Sequence, residues 1–229
     1  MSRDDFYASP LGAAYSAYME RPRLSRAIGR LIWGGDTAAY YESMAAVGEV
    51  PAGGTIVDCP CGAGPALRAL RPDAGVRYVA ADFSPAMLGR ARERAETRGL
   101  GGIELVESKA EDLPLEADSA DLFLSYWGLH CFPDPEAAIG EIGRVLRPGG
   151  RLVGATFVRG PSLRQRIMLR PGAGDFGPMC TEPELLGWLD RAGLRLSGSG
   201  RSGLYMFFDA RLGGSGSAEL GDEQAQAEV

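Results

Sequence analysis

From Thr55 onward the chain alternates short apolar runs with amphipathic stretches. The runs are TIVDC (55–59), RYVAAD (77–82), IELVE (103–107), ADLFLSY (120–126) and RLVGATF (151–157). Between them the spacing predicts a helix from about Pro65 and others over 85–98 and 135–146, with Pro65, Pro85 and Pro135 at or near their first turns, where a missing N–H does no harm. Parallel strands covered on both faces read as continuous apolar runs rather than alternating ones. The repeated strand–helix order therefore predicts an α/β fold, a parallel sheet with helices on both faces.

The flanks follow other patterns. Residues 23–33 and 36–47 carry apolar positions at helical spacing, with Asp36 as the expected N-cap of the second, and Pro51-Ala-Gly-Gly54 breaks the pattern. The first fifty residues thus form a helical segment outside the sheet, rich in Tyr and Met and suited to a lid. A Gly- and Pro-rich loop is expected over 158–180. Thr181 and Glu184 then read as a capping box opening a helix over 181–192. LRLSGS (194–199) and GLYMFFDA (203–210) are expected to close the sheet as a β-pair. The tail from Gly213 has four acids, no base and no aromatic residue, a composition that predicts disorder. The expected domains are 1–50 as lid, 51–212 as the ligand-binding domain and 213–229 as tail.

Composition narrows the function classes. Thirty acids against 24 bases leave a net charge of −6, with the arginines dispersed among acids, which argues against a nucleic-acid partner. No apolar run reaches the roughly 18 residues of a membrane span, and the N-terminus lacks the basic-then-apolar order of a signal peptide. Cys59, Cys61, Cys131 and Cys180 show no Cys-x-x-Cys spacing and read as reduced thiols. The expectation is a cytoplasmic protein without metal, nucleic-acid or membrane partner.

Chemistry concentrates at the strand ends. The first strand ends in Asp58 and runs into Cys59-Pro-Cys-Gly62-Ala-Gly64, a small-residue turn where backbone can approach a ligand and a following helix N-terminus would offer free N–H groups. The second strand ends in Asp82, 18 residues after Gly64, where an acid can accept from both hydroxyls of a ribose. Lys109-Ala-Glu-Asp-Leu-Pro114 follows the third strand and Tyr126-Trp127-Gly128 the fourth. His130, the sole histidine, stands near the expected mouth as a candidate general base, or else holds the following turn.

Asp58-x-x-Cys-Gly-x-Gly64, Asp82, the AEDLP segment and Val145-Leu-Arg-Pro-Gly-Gly150 resemble the class I S-adenosylmethionine-dependent methyltransferases, most closely their ubiquinone/menaquinone-biosynthesis and small-molecule branch. The resemblance covers about residues 36–158. It implies a seven-stranded, mostly parallel Rossmann-like sheet whose last strand is antiparallel, with S-adenosyl-L-methionine across the strand ends. By the same resemblance, Gly62 and Gly64 line the methionine and ribose portion near Asp58, and Asp82 binds the ribose diol. Phe83 and Met87 pack near the adenine, the Ala110 backbone contacts it with Glu111 beside it, and Tyr126 stands at the methionine end. Trp127 and His130 face the acceptor. The sequence departs from the family at Pro60, usually glycine, and at Lys109, often an acid or Asn. Two other readings stay open: an NAD(P)-dependent oxidoreductase, for which the third glycine is replaced by Leu67 and a Tyr-x-x-x-Lys pair is missing, and a methyltransferase-like binding protein without turnover.

Overall fold

The computed structural model describes residues 9–160 and 179–214. Seven strands form one sheet: β1 (Thr55–Asp58), β2 (Arg77–Asp82), β3 (Glu104–Glu107), β4 (Ala120–Tyr126), β5 (Leu146–Phe157), β6 (Leu194–Ser202) and β7 (Tyr205–Leu212). Their order is β3-β2-β1-β4-β5-β7-β6. Pairing is parallel from β3 through β5, while β7 runs antiparallel to both β5 and β6. The strand order therefore reverses at β1, where β2 lies on one side and β4 on the other. In open α/β sheets that reversal opens a crevice beyond the strands' carboxyl ends.

Two apolar layers cover the sheet, and the period-2 side-chain alternation of the strands assigns residues to each. Ile56, Tyr78, Leu122 and Leu124 face one layer with Tyr40, Met44 and Phe157. Val57, Val79 and Phe123 face the other with Ile139, Ile142, Leu185 and Leu189. The helices are α1 (Pro10–Met19), α2 (Pro22–Ile28), α3 (Ala38–Ser43), α4 (Pro85–Thr97), α5 (Pro135–Val145) and α6 (Glu182–Arg191). The expected capping box is present: Thr181 Oγ1 accepts from the Glu184 N–H, and the Glu184 carboxylate accepts from the Thr181 N–H.

Several elements differ from the sequence expectation. The helix expected from Pro65 is a 3₁₀ turn of five residues, Pro65–Ala69, ending in extended backbone at Leu70. Pro72 steers Arg71 away from helical backbone, and too few residues remain before β2 for a full helix. The 23–33 stretch is α2 followed by a π turn over Gly29–Trp33. The widening lies where the backbone presses on the β6–β7 hairpin: a Cβ on Gly35 would fall 2.0 Å from the Ser202 carbonyl oxygen. The 36–47 stretch is α3 followed by a 3₁₀ turn, Met44–Glu49. Asp36 does take the backbone N–H of Ala38, at 2.9 Å, while also pairing with Arg26 and Arg30. β5 starts five residues earlier than expected, because Leu146 pairs with Ala120 before a register shift. Of the expected disordered tail, 215–229 lies outside the described residues, as does 161–178 of the expected loop.

Candidate active site

A cavity of about 290 Å³ opens at the reversal point of the sheet. Its walls come from the carboxyl ends of four strands, because parallel strands in one register deliver their following loops to one edge. β1 supplies Asp58 and the turn through Ala63 and Pro65; β2 supplies Asp82, Phe83 and, on α4, Met87 and Arg94. The loop after β3 contributes Ser108 to Glu111, and β4 contributes Tyr126, Trp127 and then Cys131 to Pro133. Met19, Glu20 and Tyr40 close it from the N-terminal segment.

Eight of the nine cofactor-binding expectations stand on this wall: Asp58, Gly62, Asp82, Phe83, Met87, Ala110, Glu111 and Tyr126. Gly64 does not. It has a left-handed φ of +71°, and a Cβ there would fall 2.8 Å from Leu67 and 3.4 Å from Ala91, so its role is packing the turn against α4. Gly62 also has positive φ, but an added Cβ would meet nothing within 4 Å. It leaves space on the cavity side where any other residue would project.

The turn does not serve anions in the manner expected. The Cys61 N–H donates to the Ala81 carbonyl, the Gly62 N–H to Asp82 Oδ2 at 2.8 Å, and the Gly64 N–H to the Cys61 carbonyl. A five-residue 3₁₀ turn opened by a proline lacks the aligned peptide dipoles and free N–H groups that a phosphate uses. The carboxyl groups of Glu20, Asp58, Asp82 and Glu111 line the cavity beside two cations, Arg94 and Lys109, although Asp58, with a pKa raised to about 7, carries only part of a charge at neutral pH. That balance favours a ligand carrying positive charge and disfavours a pyrophosphate.

Asp82 is 3% exposed, and its Oδ1 accepts from the Ser84 N–H at 3.0 Å. The loop amide and Ser84 thus orient the carboxylate at the end of β2. Asp58 is fully buried and accepts from the Tyr78 hydroxyl at 2.8 Å. Desolvation pushes its pKa up to about 7, with the Tyr78 bond pulling down and the nearby Asp82 charge pushing up. Tyr126 shares a 2.9 Å hydrogen bond with Ser43, tying the N-terminal segment to the strand end, and burial raises its pKa well above the usual phenol value.

Trp127 adopts a left-handed φ of +58°, and its N–H donates to Ala155 at 2.7 Å. Non-glycine residues held in that region cluster at functional sites. Its ring lies 5.0–5.4 Å from those of Tyr40, Phe157 and Tyr205, and its buried indole Nε1 has no hydrogen-bond partner among the described residues. His130, read as a candidate base or as a holder of the following turn, stands off the cavity wall. It is 5% exposed, packs edge-to-face on Phe157 at 4.7 Å, and is not among the residues lining the cavity. The Gly128-Leu129 step turns it inward, leaving Cys131 and Phe132 on the wall.

Sequence reasoning missed Met19, Glu20, Arg94 and Ser108 as lining residues. Arg94 stands two turns along α4 from Met87, a spacing that places both on one helix face, so its signal was present. Ser108 directly precedes the lysine singled out in the sequence, and its buried hydroxyl has no partner among the described residues. Pro60 also lines the cavity, and its ring occupies the space that a side chain at position 128 would need: a Cβ on Gly128 would lie 2.4 Å from Pro60 Cδ. Lys109 lies on the wall, with its carbonyl accepting from the Asp112 N–H.

Residues 57–154 match the family model described as a methyltransferase domain. An uncharacterized chloroplastic methyltransferase of Arabidopsis thaliana is 34% identical over 161 residues, 63% of this chain and 45% of that protein. The demethylmenaquinone methyltransferase of Thermus thermophilus is 42% identical over 103 residues, 44% of this chain and 46% of that protein. The chain thus spans about half the length of these curated relatives. A geranyl diphosphate methyltransferase structure, solved with geranyl diphosphate and sinefungin, superposes with a TM-score of 0.65 over 77% of each chain at 18% identity. The matched domain runs from β1 into β5 of this sheet, and over that span the chain is similar to methyltransferases.

Proposed function

We propose that the chain binds S-adenosyl-L-methionine in this cavity and directs its methyl group to a small apolar acceptor. The observation that carries the reading is the buried Asp82 carboxylate, oriented by two backbone N–H groups at the end of β2 in a cavity whose walls are net acidic. The residues present fit the group. Asp82 would accept from the ribose hydroxyls, Gly62 leaves room for close backbone approach, and Met87, Phe83 and Ala110 offer an apolar slot for a purine. Ser108 supplies an unpaired hydroxyl at that edge. Asp58 adds negative charge near Tyr126, while Glu20 pairs with Arg94 on α4. The bound cofactor supplies an electrophilic methyl group, so the protein's task is orientation and exclusion of water rather than acid–base chemistry.

The acceptor side rests on Trp127, Tyr40 and Phe132. Aromatic and apolar walls with one indole donor suit an apolar molecule carrying an oxygen. Demethylmenaquinone, the acceptor stated in the name of the Thermus thermophilus relative, is a small molecule, which supports this reading. His130 does not reach this wall, which supports a reaction without a histidine base. A cytoplasmic setting belongs to the same reading and is supported by four cysteines that are all free thiols. The nicotinamide alternative loses its physical basis with the short 3₁₀ turn and the acidic wall.

Calorimetric titration with S-adenosylhomocysteine, with NAD as control, tests the cofactor. Micromolar binding is expected. Asp82→Ala removes charge-assisted hydrogen bonds of about 1.5–3 kcal/mol each, so binding should weaken by roughly tenfold to a hundredfold or more. Circular dichroism checks that the variant keeps its fold. Tight NAD binding with none of S-adenosylhomocysteine would reverse the assignment. Cofactor binding without turnover on any member of an apolar acceptor panel would leave the binding-protein reading standing instead.

A further inference from the structure

The N-terminal cover carries a surface that the site does not use. Among the described residues, five large hydrophobic side chains are exposed, and three of them, Leu24, Leu31 and Ile32, lie within nine residues. Leu31 is 75% exposed. On the helical segment formed by α2 and the π turn, Leu24, Ala27, Ile28 and Leu31 follow the i, i+3, i+4, i+7 spacing of one stripe. Ser25 and Gly29 occupy the opposite, buried side, packed towards Thr37 and Gly35. Leu24, Ala27 and Leu31 are exposed along this stripe, and Ile28 is half-buried.

Its rim is basic. Residues 21–36 contain four arginines and one acid, a local charge of +3 in a chain of net charge −6. Asp36 pairs with both Arg26 and Arg30 and so neutralises only one of them. Arg21 and Arg23 are exposed, with no carboxylate partner among the described residues. An apolar stripe bordered by arginines on a single convex helical element is the arrangement that lies in a lipid headgroup layer. A second copy of the chain would bring +3 against +3, which disfavours self-association.

We infer that residues 21–32 dock the protein on the surface of an anionic phospholipid bilayer, with Leu24, Leu31 and Ile32 in the acyl boundary and Arg21 and Arg23 on lipid phosphates. The sequence expectation of no membrane partner rested on the lack of a spanning run, and a surface-lying helix needs none. The element joins two parts of the cavity wall, Met19-Glu20 before it and Tyr40 after it. Docking would therefore hold the mouth of the cavity at the membrane, where an apolar acceptor dissolves. The docking itself does not depend on the proposed reaction.

The test is co-sedimentation of the full chain with vesicles of phosphatidylcholine alone or mixed with phosphatidylglycerol. Binding is expected on the anionic vesicles and reversed by high salt. Each arginine near such a surface strengthens binding about fivefold, so Arg21→Gln/Arg23→Gln should weaken it roughly thirtyfold. Leu31→Ser/Ile32→Ser should abolish it while leaving S-adenosylhomocysteine binding unchanged, which separates this result from failure of the cofactor assignment. Equal binding to both vesicle types, no binding to either, or insensitivity to the Leu31 and Ile32 changes would overturn the inference. So would a concentration-dependent dimer dissociated by Leu31→Ser/Ile32→Ser, since the stripe would then be a self-association face.

Discussion

Asp58 shows how a residue's role changes between the sequence and the fold. From its place at the end of β1 it reads as an acid near a ligand; in the fold it is also a buried carboxyl held by the Tyr78 hydroxyl. Its pKa of about 7 lies well above the unfolded value near 4. Between those values the folded chain holds a proton that the unfolded chain has released. The contribution of Asp58 to stability is therefore full below about pH 4 and is lost as pH rises to about 7, by about 1.4 kcal/mol for each pH unit crossed. Asp58→Asn keeps an acceptor for Tyr78 without the charge. Relative to the parent, it should gain a few kcal/mol in denaturant stability at pH 8 over pH 4, and a pH-independent difference between the two proteins would refute the assignment. Asp58, Asp82 and Tyr126 were readable because each ends a strand. His130 packs on Phe157 and not along the cavity, since one residue of turn geometry decides which way a side chain after β4 faces. The Pro60–Gly128 packing was invisible for a related reason: the two positions are 68 residues apart and meet only across adjacent strand ends.

At the scale of elements, periodicity located every strand of the sheet. Boundaries failed where local propensity competed with neighbours. The turn after Gly64 is the instructive case, since Pro65 and the apolar spacing promised a helix while Pro72 and the short run to β2 allowed only five residues of 3₁₀ turn. That difference removes the helix dipole from the site and with it the physical case for a pyrophosphate ligand. The capping box of α6 belongs to the opposite class, a local device that holds wherever the helix sits. Thr181→Ala loses the acceptor for the Glu184 N–H and should cost about 1 kcal/mol. For a domain of this size that is a fall of about 2–4 °C in Tm, read by calorimetry. Asp36 lies between the two classes. Its bond to the Ala38 N–H is local, but the Arg26 and Arg30 pairs, which lower its pKa to about 2, depend on α2 folding back beside it.

For the molecule as a whole, the N-terminal segment is the part whose placement matters most to the site. It meets the sheet through Tyr126 and Ser43, and meets α4 through the Glu20–Arg94 ion pair at the cavity. If the segment acts as a lid, Glu20→Ala should speed amide hydrogen exchange over residues 10–20 while the sheet keeps its protection and Tm moves by no more than about 2 °C. S-adenosylhomocysteine should slow exchange over the same residues in the parent protein. Unchanged exchange in both experiments would make the segment a fixed wall. The sequence alone determined the α/β class, the strands, the acidic strand ends and the glycine turn, because strand burial, helical period and turn chemistry are local properties repeated along the chain. The charge balance of the cavity, the burial that moves Asp58, the inward turn of His130 and the exposure along the Leu24–Leu31 stripe were decided only in three dimensions. Each depends on which distant segments are neighbours, and that neighbourhood is set by packing the two apolar layers on the sheet.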